Sequence, residues 1–162
     1  MLARRHSSGV IFAAAIIIGA TASGCSSPAD LARVLQTRDV ATGWFDAGIV
    51  DGKNKLVPSI TFRLRNSSNE ALKLQMNIVY VILPERDDRD DVFLQNVNVP
   101  ASGVSTPITV RSKYGFTGEQ PRAEMLQHRL FQDFQVRLFA KHESGQWVPL
   151  GEYSIDRTLL TR

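Results

Sequence analysis

The sequence contains a single cysteine, Cys25, among its 162 residues. No intrachain disulfide can form, so the fold must be stabilised by its hydrophobic core. The charges nearly cancel as well: 19 Lys and Arg face 16 Asp and Glu, and Arg4 and Arg5 lie in a segment that we expect to be removed. The remaining 17 against 16 leave a net charge of +1. This balance argues against nucleic-acid binding, which requires a concentrated basic surface.

Motifs that carry out chemistry are also scarce. The chain has neither a G-x-S-x-G nucleophile elbow nor a G-x-x-x-x-G-K-[ST] phosphate-binding loop. His128 and His142 lack metal-ligand spacing, and the acidic run from Glu85 to Asp91 contains Arg86 and Arg89, which oppose Ca²⁺ binding. We therefore expect no catalytic residue, no metal and no cofactor. We interpret the run 85–91 as a solvated hairpin end with internal ion pairs.

The N-terminal apolar run is too short to span a bilayer as a stable helix. Residues 10–22, VIFAAAIIIGATA, follow Arg4 and Arg5 and match the length and flanking charge of a signal-peptide core. Three small residues, Ala22, Ser23 and Gly24, then precede Cys25, as a narrow peptidase site requires. We expect residues 1–24 to be a signal peptide cleaved before Cys25. A secretory signal cut near Ala22 and an uncleaved anchor are the alternatives.

The tetrapeptide Ala22-Ser23-Gly24-Cys25 resembles the lipobox of bacterial lipoproteins, Leu-(Ala/Ser)-(Gly/Ala)-Cys, with Ala22 in place of the usual Leu. The resemblance implies that the sulfur of Cys25 receives a diacylglyceryl group and that the freed amine can be acylated. Two or three such chains, at about 0.8 kcal/mol per buried CH₂, anchor a protein stably. In a Gram-negative host, Ser26 at the next position implies the periplasmic face of the outer membrane. The resemblance thus predicts a protein of the cell envelope that a lipid holds on a membrane.

Residues 25–40 are predicted to form the anchor cysteine and a tether. Ser27 can cap a helix, Pro28 suits its first position, and Asp30 falls in its first turn. Leu31, Val34 and Leu35 would then share one face. One interpretation is a short helix that docks on the membrane surface or on a partner. The other is a frayed linker, because isolated helices this short are marginal.

Residues 41–162 are predicted to form a β-domain, because apolar residues recur there with a period of two. This alternation is clearest over residues 60–65, 72–80 and 134–141. Turn-forming residues separate the strands near 51–54, 66–69, 100–103 and 143–145. About seven strands at regular spacing predict an antiparallel β-sandwich. One short crossover helix is expected over residues 122–129.

The segment from Leu56 to Leu83 combines an extended strand, an Asn-containing turn after RLRN, and a long alternating strand. This layout resembles small immunoglobulin-like envelope domains. The resemblance implies an immunoglobulin-like β-sandwich for most of the mature chain. It implies no particular function, because domains of this group differ in what they do.

Large apolar residues outside these runs are few. Trp44, Phe45 and Trp147 are expected to pack in the core or at the rim of a sheet. Contact with a carbohydrate or a lipid would need them side by side and exposed.

The strand over residues 78–83 is apolar on both faces. Either another part of the chain covers both faces, or Val79 and Val81 form an exposed partner face. The leading hypothesis is a non-enzymatic accessory or adaptor lipoprotein that binds an envelope protein partner, with strand addition at a sheet edge as one mode. The alternative is a carrier or receptor for a lipid or another small amphiphile held between the sheets. An envelope hydrolase is a third, weaker hypothesis.

Overall fold

The computed structural model describes the backbone of residues 28–160 and the side chains of residues 30–160. Its elements, in chain order, are α1 (Pro28–Val34), β1 (Leu35–Val50), β2 (Lys53–Asn66), β3 (Leu72–Ile82), β4 (Asp87–Val99), β5 (Ile108–Arg111), β6 (Phe116–Gly118), α2 (Arg122–Met125), β7 (Phe134–His142), β8 (Val148–Ser154) and β9 (Leu159–Leu160). The prediction of a mainly β chain is confirmed. Within the described range, none of the helices is long and apolar enough to cross a membrane.

The strands form two sheets that contribute to one hydrophobic core. The first sheet has the order β5-β2-β1-β9, and β6 also pairs with β2. The second sheet has the order β4-β3-β7-β8. Neighbouring strands run antiparallel except for the short pairing of β1 with β9. This arrangement is consistent with the predicted β-sandwich.

The alternation in β2 and β3 builds the core, because successive side chains of a strand point to opposite faces. In β2, Leu56, Ile60, Phe62 and Leu64 are fully buried. In β3, every second residue from Leu72 to Ile82 enters the same core. The two sequence patterns with the strongest alternation therefore lie face to face at the centre of the domain.

The first strand begins inside the predicted tether. Leu31 of α1 and Leu35 at the start of β1 are both buried in the core, so α1 is a packed helix. The register between β1 and β2 shifts between Arg38 and Ala41, where Asp39 has a φ of 51°. Such a bulge interrupts the alternation of side chains. This interruption explains why the period of two did not reveal the first residues of β1.

The charged run 85–91 differs from its prediction. Residues 87–91 belong to β4, and Asp90 is buried. The ion pairs of this run lead to other elements: Asp88 contacts Arg137 at 3.3 Å, and Asp90 contacts Lys113 at 3.2 Å. The run does lie at the end of the β3–β4 hairpin, where residues 85–89 are exposed, but the predicted internal ion pairs are wrong. A charged strand was overlooked because an inward-facing aspartate becomes acceptable only with partners that are remote in sequence.

The predicted crossover helix is present but shorter than expected. α2 covers four residues, Arg122–Met125, against the eight of the predicted range 122–129. Met125 and Leu126 are buried and attach this segment to the core. The residues that follow form turns that lead to β7.

Candidate functional site

The residues predicted for signal cleavage and lipidation, Ala22, Ser23, Gly24 and Cys25, lie outside the described residues. Lipid attachment therefore stays a prediction. The described chain begins shortly after them, with α1 starting at Pro28. Because Leu31 already belongs to the core, the domain follows the predicted anchor almost directly.

Val79 and Val81 lie on the outer face of β3, and both are covered. Their exposed fractions are 6% and 0%. Val79 pairs across the sheet with Asp91 and Arg137, and Arg137 forms ion pairs with Asp88 at 3.3 Å and Glu152 at 3.2 Å. These long charged side chains share the face of the two valines. Val79 and Val81 therefore do not form an accessible partner face, and cover by the chain itself is what the structure shows.

The outer face of the same sheet carries two exposed aromatic residues, one on β4 and one just before β8. Phe93 is 61% exposed and Trp147 is 39% exposed, and their ring centroids lie 6.3 Å apart in an edge-on arrangement. The ammonium group of Lys141 lies 5.1 Å from the centroid of the Trp147 ring. We call Phe93, Trp147 and Lys141 the aromatic patch. Large aromatic residues grouped at the surface are typical of interaction sites.

A second feature is a cavity of about 250 Å³ at the end of β3 that contains Ile82. We call it the aromatic cavity. Its buried lining consists of Trp44, Ile82 and Phe134, with Phe116 half-buried, and its exposed lining consists of Arg89, Tyr114 and Gln132. Gly115 completes the wall. The cavity therefore combines an apolar interior with polar side chains at its solvent side, which is the usual pattern of small-molecule sites.

Trp44 is the largest buried side chain of the cavity lining. It is 1% exposed and makes edge-on contacts with Phe131 and Phe134, with ring centroids 4.4 and 5.7 Å apart. Its indole Nε1 is buried and has no hydrogen-bond acceptor among the described residues. Buried donors of this kind are uncommon in folded proteins, so each requires an explanation. Trp44 confirms the expectation of core packing, while Trp147 is exposed beside Phe93.

Arg89 reaches the cavity from a β-bulge. Tyr80 pairs with Asp90 and Val81 pairs with Asp88, so Arg89 is the extra residue between them. A bulge redirects a side chain out of the regular alternation of its strand. The guanidinium group of Arg89 has no hydrogen bond or ion pair within residues 30–160. Its acidic neighbours Asp88 and Asp90 pair with other cations.

Asp90 fixes the segment that forms the cavity wall. Its Oδ2 accepts hydrogen bonds from the hydroxyl of Ser112 at 2.9 Å and from the backbone N–H of Lys113 at 2.8 Å. Burial alone would raise the pKa of Asp90. The hydrogen bonds from Lys113 and Ser112, together with the Lys113 ammonium, outweigh burial and hold this pKa below its ordinary value. The ionised carboxylate thus holds residues 112–113 and positions Tyr114 beside the cavity.

Tyr80 lies next to Asp90 in the core and completes this network. Its hydroxyl donates a hydrogen bond to the carbonyl of Val110 at 2.8 Å. Burial raises the pKa of Tyr80 well above its ordinary value, and the Asp90 charge adds to that effect. Tyr80 is therefore a neutral structural donor that joins the two sheets.

Glycine is required at position 115 because the chain crosses β2 closely there. A Cβ atom on Gly115 would lie 2.0 Å from the carbonyl oxygen of Leu56. Residues 112–115 connect β5 to β6, and both of these strands pair with β2. The close approach keeps this wall of the cavity against the first sheet.

The described histidines do not form a metal centre. No group of three or more His, Cys, Asp or Glu side chains that could hold a metal ion occurs among the described residues. The Nδ1 atom of His128 accepts a hydrogen bond from the backbone N–H of Leu130 at 3.2 Å. The ring centroid of His128 lies 6.0 Å from that of Phe116. His128 is thus half-buried and packs against Phe116.

The cavity residues were not identified by the sequence patterns. Arg89 was considered only as a charge that opposes Ca²⁺. Trp44 was expected in the core or at a sheet rim, and contact with a carbohydrate or a lipid was considered only for exposed, adjacent aromatic residues. The sequence does contain one signal: Arg89 is the single cation among the aspartates of residues 87–91. The sequence alone does not show where the side chain of Arg89 lies, because its position depends on the β-bulge, which forms only when β3 and β4 pair.

Comparisons with known proteins add little. No protein-family model matches the chain, and no curated protein matches it. One similar solved structure is an X-ray structure of a Northeast Structural Genomics Consortium target, with 15% identity and a TM-score of 0.47 over 79% of this chain and 89% of that chain. Another is the putative ApaA protein from Bordetella pertussis, with 15% identity and a TM-score of 0.43 over 76% of this chain and 93% of that chain. Likeness at this level assigns neither a family nor a function.

Proposed function

We propose that this chain is a lipid-anchored protein of the cell envelope whose β-domain binds an envelope protein partner and performs no chemistry. The lipobox-like segment before Cys25 supports the anchor. Leu31 already belongs to the core, and a chain spans at most about 3.5 Å per residue. A lipid on Cys25 would hold Leu31 within about 20 Å of the membrane.

The aromatic patch carries the second half of the proposal. Phe93 and Trp147 expose large rings on the outer face of the second sheet, where no other described element covers them. Lys141, and Lys73 further along the same face, have no ion-pair partner among the described residues. Exposed rings beside unpaired cations fit a partner segment with acidic and apolar side chains.

The immunoglobulin-like identity of the domain belongs to the same proposal. Two antiparallel sheets with a shared core support it. Domains of this kind offer sheet faces and edges to partners, which agrees with an adaptor role. In a Gram-negative host, the domain would lie at the periplasmic face of the outer membrane.

The test places a photo-crosslinking residue at Phe93 of the full chain in its native host. We expect one abundant protein to be attached in the membrane fraction. The matched position is Thr106, which is exposed outside the patch, and it should attach no such protein. Attachment of lipids alone, or of the same proteins from both positions, would contradict an adaptor role for the patch.

A Cys25→Ser chain tests the anchor separately. We expect this chain to leave the membrane fraction and to lose most of its crosslinking from Phe93. A Cys25→Ser chain that is retained on membranes like the wild type would refute lipid anchoring at this residue. The Phe93 result alone would still report on the protein partner.

A second candidate function is the carriage of a small amphiphile. The observation that favours it is the aromatic cavity, with an apolar interior and polar residues at its solvent side.

A further inference from the structure

We infer that the aromatic cavity binds a small amphiphile with a single carboxylate, with its apolar body against Trp44, Phe116 and Phe134 and its carboxylate on Arg89. This inference deepens the second candidate function. It is independent of the lipid anchor and of the aromatic patch, because it uses other residues at the other end of β3.

The interior of the cavity is suited to an apolar body. Trp44, Ile82 and Phe134 are buried at its wall, and yet about 250 Å³ beside them is not filled by protein. The cavity is open to solvent on one side, so its apolar walls lack contacts with other apolar groups there. A ligand that fills the space supplies these contacts.

Arg89 indicates which charged group the ligand carries. Its guanidinium group presents a planar fork that matches a carboxylate with two parallel hydrogen bonds. Although Arg89 lies in a run of aspartates, Asp90 pairs with Lys113 and Asp88 pairs with Arg137. The β-bulge takes Arg89 out of the regular alternation of β4, and Arg89 lines the aromatic cavity as well as a neighbouring cleft that its acidic neighbours also line. One unpaired cation at the opening fits one anionic group.

The size of the cavity restricts the ligand class. About 250 Å³ equals the volume of roughly eight water molecules in the liquid. This volume suits a medium-length alkyl chain or a single aromatic ring. A diacyl lipid is too large, and a short dicarboxylate would place a second charge against Phe116 and Phe134.

The test uses photoreactive octanoate, which carries a diazirine on its alkyl chain, and the full chain in isolated membranes. We expect labelling on peptides that contain Trp44, Phe116 or Phe134, with competition by unlabelled octanoate. The corresponding photoreactive octanol should label these peptides at least about tenfold less, because it lacks the charge that Arg89 binds.

Variants of Arg89 make the result specific. Arg89→Ala should reduce octanoate labelling of the cavity peptides at least about tenfold and remove the preference over octanol. Arg89→Lys should retain part of the labelling, because it keeps the charge and loses the fork. Arg65→Ala is the matched control, since Arg65 is exposed on β2 outside the cavity lining, and it should label like the wild type.

Three results would overturn the inference. The first is no competed labelling of the wild-type chain. The second is labelling that Arg89→Ala leaves unchanged. The third is labelling on peptides with Phe93 or Trp147 in place of the cavity peptides. None of these results bears on the protein partner, which crosslinking from Phe93 tests by itself.

Discussion

The turn after β2 and the aromatic cavity differ in how completely their buried polar side chains are hydrogen-bonded. At the turn, the side chain of Asn66 is fully buried and makes four hydrogen bonds. It donates to the carbonyls of Glu70 at 2.7 Å and Pro100 at 3.1 Å, and it accepts from the N–H and the hydroxyl of Ser68 at 2.9 and 2.7 Å. At the cavity, the buried N–H of Trp44 has no acceptor within the described part of the chain.

This difference separates structural polar groups from candidate binding groups. A buried group whose hydrogen bonds are all made holds the chain in one conformation. A buried group without a partner lowers stability unless something outside the chain completes it. The turn at Asn66 therefore serves the fold, whereas the ligand inferred for the cavity would stabilise the folded chain by binding to it.

The largest effect should come from Asn66→Ala in the turn after β2. This change removes four hydrogen bonds, and the carbonyls of Glu70 and Pro100 each lose one of their two donors. We expect the free energy of unfolding to fall by about 2–4 kcal/mol, measured by urea denaturation. Asn69→Ala, at an exposed neighbouring position, should change it by less than about 0.5 kcal/mol. Equal losses in the two variants would contradict a structural role specific to Asn66.

A smaller and pH-dependent effect should come from Asp90→Asn beside the cavity. The folded-state pKa of Asp90 lies below its ordinary value, so the ionised carboxylate stabilises the folded chain above the unfolded-state pKa of about 3.9. This contribution is lost as the pH falls through the folded-state pKa. We expect Asp90→Asn to lower the free energy of unfolding by about 1–2 kcal/mol at pH 7.

The same measurement at falling pH sharpens this prediction. Urea denaturation between pH 7 and pH 2 should show a shallower acid-induced loss of stability in Asp90→Asn than in the wild type, because one depressed carboxyl is gone. Asp87→Asn, an exposed change in the same strand, should keep the wild-type slope. A wild-type slope in Asp90→Asn would show that Asp90 does not carry this acid sensitivity.

The smallest effect on stability should come from Arg89→Ala at the aromatic cavity. Arg89 is exposed and has no partner in residues 30–160, so its removal breaks no contact within the fold. We expect the free energy of unfolding to change by less than about 0.5 kcal/mol without ligand. A decrease of more than about 1 kcal/mol in the free energy of unfolding would identify Arg89 as a structural residue and weaken the contrast between the Asn66 turn and the aromatic cavity.

The parts of the fold that alternate regularly could be predicted from the sequence. The strands over Leu72–Ile82 and Phe134–His142 agree with their predicted positions because one face of each is apolar throughout. The start of β1 could not be predicted, because the bulge at Asp39 breaks the pattern. β4 was missed for a related reason: its first residues carry charges whose partners, such as Lys113 and Arg137, lie in other elements.

The candidate sites depended even more on tertiary contacts. Val79 and Val81 on the outer face of β3 were predicted as a candidate surface, but both are buried, and the exposed aromatic residues of that face are Phe93 and Trp147. Phe93 and Trp147 are far apart in sequence and meet only through the pairing of β4, β3, β7 and β8. A local sequence pattern cannot predict a contact between residues that are so far apart in the chain.

The sequence by itself determined the β-rich character of the chain, because the alternation of apolar and polar residues acts within each strand. It also contains the whole basis for the predicted lipid anchor at Cys25. Only the tertiary structure decided which polar groups find partners: Asn66 and Asp90 do, while Trp44 and Arg89 do not within the described chain. The reason is physical, since a hydrogen bond or an ion pair depends on distance and direction between groups that the chain brings together only on folding.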